Sequence, residues 1–176
     1  MLENLASRLT IQAMGRDGGT MANRHLYQAT TSWSGETRDY DSYSRDYRVQ
    51  VPGKPILVGS ADAAFKGDAG LHSPEDLLLI SLSTCHMLSY LAICARLGIV
   101  VLAYEDTAEG TMAIKDRRMR FTDVLLRPRV TLEAGADAAR AEQAHEQAHQ
   151  ECFIANSVSF PVRHEATILH PGDAAA

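Results

Sequence analysis

Ser73-Pro74-Glu75-Asp76-Leu77-Leu78-Leu79-Ile80-Ser81-Leu82-Ser83-Thr84-Cys85-His86-Met87-Leu88-Ser89-Tyr90-Leu91-Ala92-Ile93-Cys94-Ala95-Arg96-Leu97-Gly98 decides how the rest of the chain is read. Ser73 can cap a helix, Pro74 suits the first helical position, and Glu75 and Asp76 face the positive end of the helix dipole. Gly98 supplies the left-handed stop. Residues 77–94 carry no formal charge and are long enough to cross a bilayer. Six polar residues, Ser81, Ser83, Thr84, His86, Ser89 and Tyr90, thread that stretch, and Arg96 closes it. Polar groups at that density are costly in lipid, so the pattern predicts the buried central helix of a soluble domain and no membrane span.

Outward from the helix, residues 27–33, 47–51 and 55–58 read as strands, with Pro52-Gly53 as the turn between the last two. Downstream, residues 99–104, 110–114 and 124–132 read as three more. Asp137 caps a second helix ending near Glu151, and residues 160–169 close as a strand. Strands in blocks, not alternating with helices, predict an α+β fold with antiparallel sheet. Residues 1–24 read as a loosely ordered extension, residues 25–170 as one domain and residues 171–176 as a tail.

The 176 residues are 45% hydrophobic and 22% charged, which suits one globular core. Seventeen Lys and Arg against twenty-two Asp and Glu, net charge -5, argue against a nucleic-acid or acidic-membrane binder. The start lacks a basic segment followed by an apolar run, so cytoplasmic residence is expected. Three cysteines are an odd, small number, unsuited to a secreted disulfide scaffold.

Cys85 lies mid-helix and Cys152 just after the second helix, 67 residues on and without close metal-ligand spacing. Cys94 follows Cys85 by nine residues, about 900° of helix, and so sits on the opposite face as a packing residue. His145-Glu146-Gln147-Ala148-His149 matches the helical zinc-peptidase pattern, with Glu165 or His164 as a third ligand. Beside it stands the plainer reading of an Ala-faced packing helix with stripe Ala141, Ala144, Ala148 and Cys152.

Ser73-Pro74-Glu75-Asp76-Leu77-Leu78, then Ser83-Thr84-Cys85-His86, then Cys152-Phe153-Ile154-Ala155-Asn156-Ser157 together resemble the OsmC/Ohr family of thiol-dependent hydroperoxide reductases. The resemblance covers about residues 25–168. It implies antiparallel sheets around two central helices in an intertwined cytosolic homodimer. It also implies reduction of organic hydroperoxides or H2O2, with an external thiol or dithiol as reductant and no bound cofactor or metal. Carried over by position, Cys85 is the peroxidatic thiol, Cys152 the resolving thiol, and Glu75 the acid that orients an activating arginine.

Thiolate attack on an O–O bond gives a sulfenic acid, which a second thiol condenses to a disulfide. Ten residues of helix separate Glu75 from Cys85 by roughly 15 Å, which favours Glu75 of one chain serving the site of the other. Where the osmotically induced branch places an arginine before its Pro-Glu turn, this chain has Ala64 in Ala64-Phe65-Lys66-Gly67. The arginine is therefore expected from the early segment, Arg45 or alternatively Arg38. Besides the peptidase, a non-catalytic redox-responsive or ligand-binding protein on the same fold remains as an alternative, its cue being a missing arginine.

Overall fold

The computed structural model describes residues 24–173, so residues 1–23 of the extension predicted over 1–24 and residues 174–176 of the tail lie outside the described residues. Helix α1, Pro74–Leu97, starts as its sequence dictates. The Ser73 hydroxyl accepts the Asp76 N–H at 3.1 Å while the Asp76 carboxylate accepts the Ser73 N–H at 2.9 Å, a reciprocal capping box. Gly98 ends the helix at φ 69°, a conformation that favours glycine. Helix α2, Ala138–Glu151, is capped by Asp137, whose carboxylate accepts the Arg140 N–H.

Among the described residues nine strands form three sheets. Strands β1 (Thr30–Ser32), β2 (Tyr47–Gln50) and β3 (Leu57–Gly59) make an antiparallel N-terminal sheet. It is tethered to the body at His72, whose carbonyl accepts the Ser60 N–H at 3.1 Å and the Tyr47 hydroxyl at 3.2 Å. Strands β4 (Val101–Asp106), β7 (Pro128–Leu132) and β9 (Thr167–Leu169) form the second sheet, in the order β4-β7-β9. Strands β5 (Glu109–Lys115), β6 (Arg118–Leu126) and β8 (Val162–His164) form the third, in the order β5-β6-β8.

Three expectations are corrected. Residues 124–132 are not one strand: the chain changes sheet between Leu126 and Pro128, where Asp106 accepts the Arg127 N–H at 2.7 Å and Pro128 has none to offer. Residues 160–169 break in the same way into β8 and β9, and the two breaks lie side by side, with the Glu165 N–H on the Leu126 carbonyl at 2.9 Å. Strand β8 pairs parallel with β6, and β9 parallel with β7, so these sheets are mixed and not purely antiparallel. The start of β6, Arg118 to Asp123, lies outside every strand that the sequence predicts. It is a charged arm paired with β5 around Asp116 and Arg117, both at positive φ, a turn built without the usual glycine.

Two cores result. The C-terminal half of α1, through Tyr90, Ile93 and Cys94, packs on the Ala141, Ala144 and Ala148 stripe of α2 and on Val130 and Leu132 of the second sheet. Its N-terminal half, through Leu78, Leu79 and Leu82, packs on Val124, Leu126 and Val162 of the third. Cys94 is buried, as its opposite-face placement predicts. Helix α1 is buried on one face only, however, and in the single chain Leu88 remains 62% and Ile80 44% exposed. By length and composition alone α1 could cross a membrane, but its inner face holds His86, and Ser83 bonds Asp106 across to β4 at 2.5 Å.

Candidate functional site

Cys85 and Cys152 are brought together where α1 crosses the end of α2. Both are free thiols, Cys85 half-buried and Cys152 buried. Cys152 caps α2, its N–H on the His149 carbonyl. The chain then turns at once through Ala155–Ser157. The turn is knitted by the Asn156 N–H on the Cys152 carbonyl, the Asn156 side chain on the Gln150 carbonyl at 2.9 Å and the Ser157 hydroxyl on the Phe153 carbonyl at 2.7 Å. It aims the Ala155 N–H at Cys152 Sγ, 3.4 Å away, and leaves that thiol within hydrogen-bonding reach of the Cys85 sulfur.

Burial pushes the Cys152 thiol up to about 11, the Ala155 amide opposes this, and the neighbouring Cys85 adds to it. Cys152 is therefore a neutral thiol at neutral pH. Of the pair, Cys85 is the more accessible to a molecule arriving from solvent.

Glu75 occupies the first turn of α1, half-buried, with Oε2 buried and lacking a hydrogen-bond partner among the described residues. Beside it Tyr47 is held above the usual phenol range by burial and then by the charges of Glu75 and Asp76. Neither early arginine is turned to the thiols within one chain. Arg45 donates to the carbonyls of Tyr43 and Tyr40 and lies 3.8 Å over the Tyr43 ring. Arg38 forms an exposed ion pair with Glu36.

The His145-Glu146-x-x-His149 segment folds against the zinc reading. His145 points into the core, its Nδ1 3.0 Å from His86 Nε2, while Glu146 faces His164 at 3.4 Å. No three His, Cys, Asp or Glu side chains are arranged to hold a metal ion among the described residues. A buried imidazole cluster takes the place of that site. His86 and His145 stack nearly parallel at 5.3 Å, and the Tyr90 ring lies 3.9 Å from His145. His164 lies 5.3 Å from His86 and 5.9 Å from His149.

Burial, aided by the neighbouring imidazoles, depresses His86 to about 4 and His145 to about 3, so both are neutral. The sequence reading missed this pair. Its signals were present: a histidine within the uncharged run of the first helix, and a second one beside the alanine stripe.

A family model described as OsmC-like protein matches residues 67–167. Among solved structures, an OsmC-like protein of unknown function from Vibrio cholerae is 28% identical with a TM-score of 0.76, covering 81% of this chain and 99% of that one. An OsmC-like protein from Mycoplasma pneumoniae is 12% identical, TM-score 0.68, covering 83% and 99%. An organic hydroperoxide resistance protein from Elizabethkingia anophelis is 17% identical, TM-score 0.64, covering 85% and 99%. No curated protein gave a significant match.

Proposed function

The chain belongs to the OsmC-like protein family, and from that membership and its paired thiols we propose that it reduces hydroperoxides in peroxide defence. The observation that carries the proposal is the approach of half-buried Cys85 to the buried neutral thiol of Cys152.

The Cys85 thiolate attacks the terminal oxygen of ROOH, breaking the O–O bond. Cys85 becomes a sulfenic acid, and the alkoxide leaves and takes a proton as ROH. The Cys152 thiol then attacks the sulfenic sulfur, water departs, and a Cys85–Cys152 disulfide forms. An external dithiol returns two electrons and two protons by exchange. Oxidation of two thiols balances reduction of one peroxide, and no bound cofactor enters the cycle.

The working unit in this proposal is a homodimer in the cytoplasm. Two features support it: the uncovered apolar face of α1 at Ile80 and Leu88, and the ten helical residues between Glu75 and Cys85. Glu75 of one chain then serves the thiols of its partner.

Purified protein with a dithiol should consume an organic hydroperoxide, and Cys85→Ser should abolish that consumption. Turnover by Cys85→Ser at the parent rate would sink the thiol mechanism.

A further inference from the structure

The turn that follows Cys152 is closed by three clasps. The Asn156 N–H donates to the Cys152 carbonyl at 3.0 Å, the Asn156 side-chain amide reaches back to the Gln150 carbonyl at 2.9 Å, and the Ser157 hydroxyl donates to the Phe153 carbonyl at 2.7 Å. Together they fix the Ala155 N–H 3.4 Å from Cys152 Sγ, and the Ile154 amide adds a smaller donation to the same sulfur. Donors and acceptor belong to one short segment, so their aim is set locally and not by what Cys85 carries.

Thiol–disulfide exchange needs a leaving thiolate, and the sulfur that leaves is the one that is not attacked. In a Cys85–Cys152 disulfide the half-buried Cys85 is the side that a reductant in solvent can reach, because Cys152 is only 1% exposed. Cys152 then departs as an anion from surroundings that resist one, since burial pushes its thiol up to about 11. A sulfur that is hard to charge leaves slowly. The Ala155 amide works against the burial. A hydrogen bond strengthens as its acceptor becomes charged, so this donation grows while the S–S bond breaks.

We propose that the turn from Cys152 to Ser157 makes Cys152 the leaving sulfur when a dithiol reduces the protein, with the Ala155 N–H stabilising the departing thiolate and Asn156 as the positioning residue that keeps this amide aimed. One thiolate of the reductant bonds to Cys85 Sγ, the Cys85–Cys152 bond breaks, and its electron pair goes to Cys152. Cys152 takes a proton from water and returns to the neutral thiol that its burial favours. As a neutral thiol it is a poor nucleophile, which gives the reductant's second thiolate time to displace Cys85. The dithiol leaves as a cyclic disulfide, and two electrons have passed to the protein. This step deepens the hydroperoxide-reductase reading and rests on it for the origin of the disulfide.

The test forms the disulfide in the full-length protein with diamide, without peroxide. Brief treatment with 2-mercaptoethanol, an acid quench and peptide mass spectrometry should find the mixed disulfide on Cys85. Asn156→Ala should slow reduction by dithiothreitol about tenfold, the loss expected when a charged acceptor loses a well-aligned donor. Ser157→Ala, which opens only the clasp on Phe153, should slow it about threefold. Alkylation of Cys85 by iodoacetamide in the reduced protein puts no charge on Cys152 and should keep the parental rate in both variants.

A mixed disulfide on Cys152 overturns the proposal, and so does a parental rate of reduction in Asn156→Ala. Equal slowing of reduction and alkylation overturns it too, since that marks a general loosening of the site. Should Asn156→Ala fail to fold, Ser157→Ala carries the same comparison. Failure of diamide to join Cys85 to Cys152 counts against this proposal and the reductase reading together. A parent protein that shows the Cys85 mixed disulfide and the Asn156 dependence but consumes no hydroperoxide overturns the reductase reading alone.

Discussion

Mild acid should loosen this fold, and the buried His86–His145 pair sets the size of the effect. In the unfolded chain each imidazole titrates near 6.5; in the fold, burial holds His86 to about 4 and His145 to about 3. As pH falls below 6.5 the unfolded chain takes up protons that the native chain refuses, so stability declines, and the decline ends only near the folded values. Each imidazole considered alone removes about 2 kcal/mol between pH 7 and 5. Because the two are hydrogen-bonded and titrate as a unit, about 3 kcal/mol is expected for the pair. That is a large part of the 5–15 kcal/mol typical of a domain. Among the described residues His86 Nδ1 and His145 Nε2 are buried without a hydrogen-bond partner, so the pair has no outer acceptor to stabilise a charged imidazolium.

Urea unfolding at pH 7, 6 and 5, at one protein concentration because association couples to stability, reads the change directly. His145→Gln should lower stability at pH 7, yet remove about half of the decline between pH 7 and 5. A parent midpoint that is the same at pH 7 and 5 refutes the reasoning. So does a His145→Gln protein that keeps the whole parental decline.

Cys152→Ser should permit one stoichiometric oxidation of Cys85 and then its progress to sulfinic acid, visible as a 32 Da mass gain in place of a disulfide (about two oxygen atoms). An intact Cys85 after excess peroxide would contradict this. Leu88→Glu, on the uncovered face of α1, should give a folded monomer by sedimentation with hydroperoxide consumption lost; an active monomer would remove the need for a partner. Leu82→Ala, which empties a fully buried site between α1 and the third sheet, should destabilise by about 2–5 kcal/mol in urea. A change under about 1 kcal/mol would mean that this core is not as closely packed as described.

The local features were legible. Ser73, Pro74 and Asp76 determine where α1 begins because a cap is settled within one helical turn, and Asp137 does the same for α2. The 3.6-residue period put Cys94 on the face opposite Cys85, and it is buried there. Strand limits were less legible. Residues 124–132 and 160–169 read as unbroken apolar runs, and what divides them is pairing with distant strands, β6 with β8 and β7 with β9. The arm from Arg118 to Asp123 escaped notice because a two-stranded ribbon with much of its surface in solvent has little hydrophobic alternation to show.

By itself the sequence determined the α+β class, the two capped helices and, through its resemblance, the choice of Cys85 and Cys152. These follow from short-range rules or from ordered motifs that need no coordinates. Tertiary structure decided which side chains meet. His86 and His145 lie 59 residues apart in the chain and 3.0 Å apart in the fold, which turned a zinc-peptidase pattern into a buried neutral imidazole pair. It also brought the Cys152 sulfur within reach of Cys85, 67 residues earlier on another helix, a relation that no periodicity encodes. Contacts of that separation depend on how whole elements pack, and packing is a property of the assembled core.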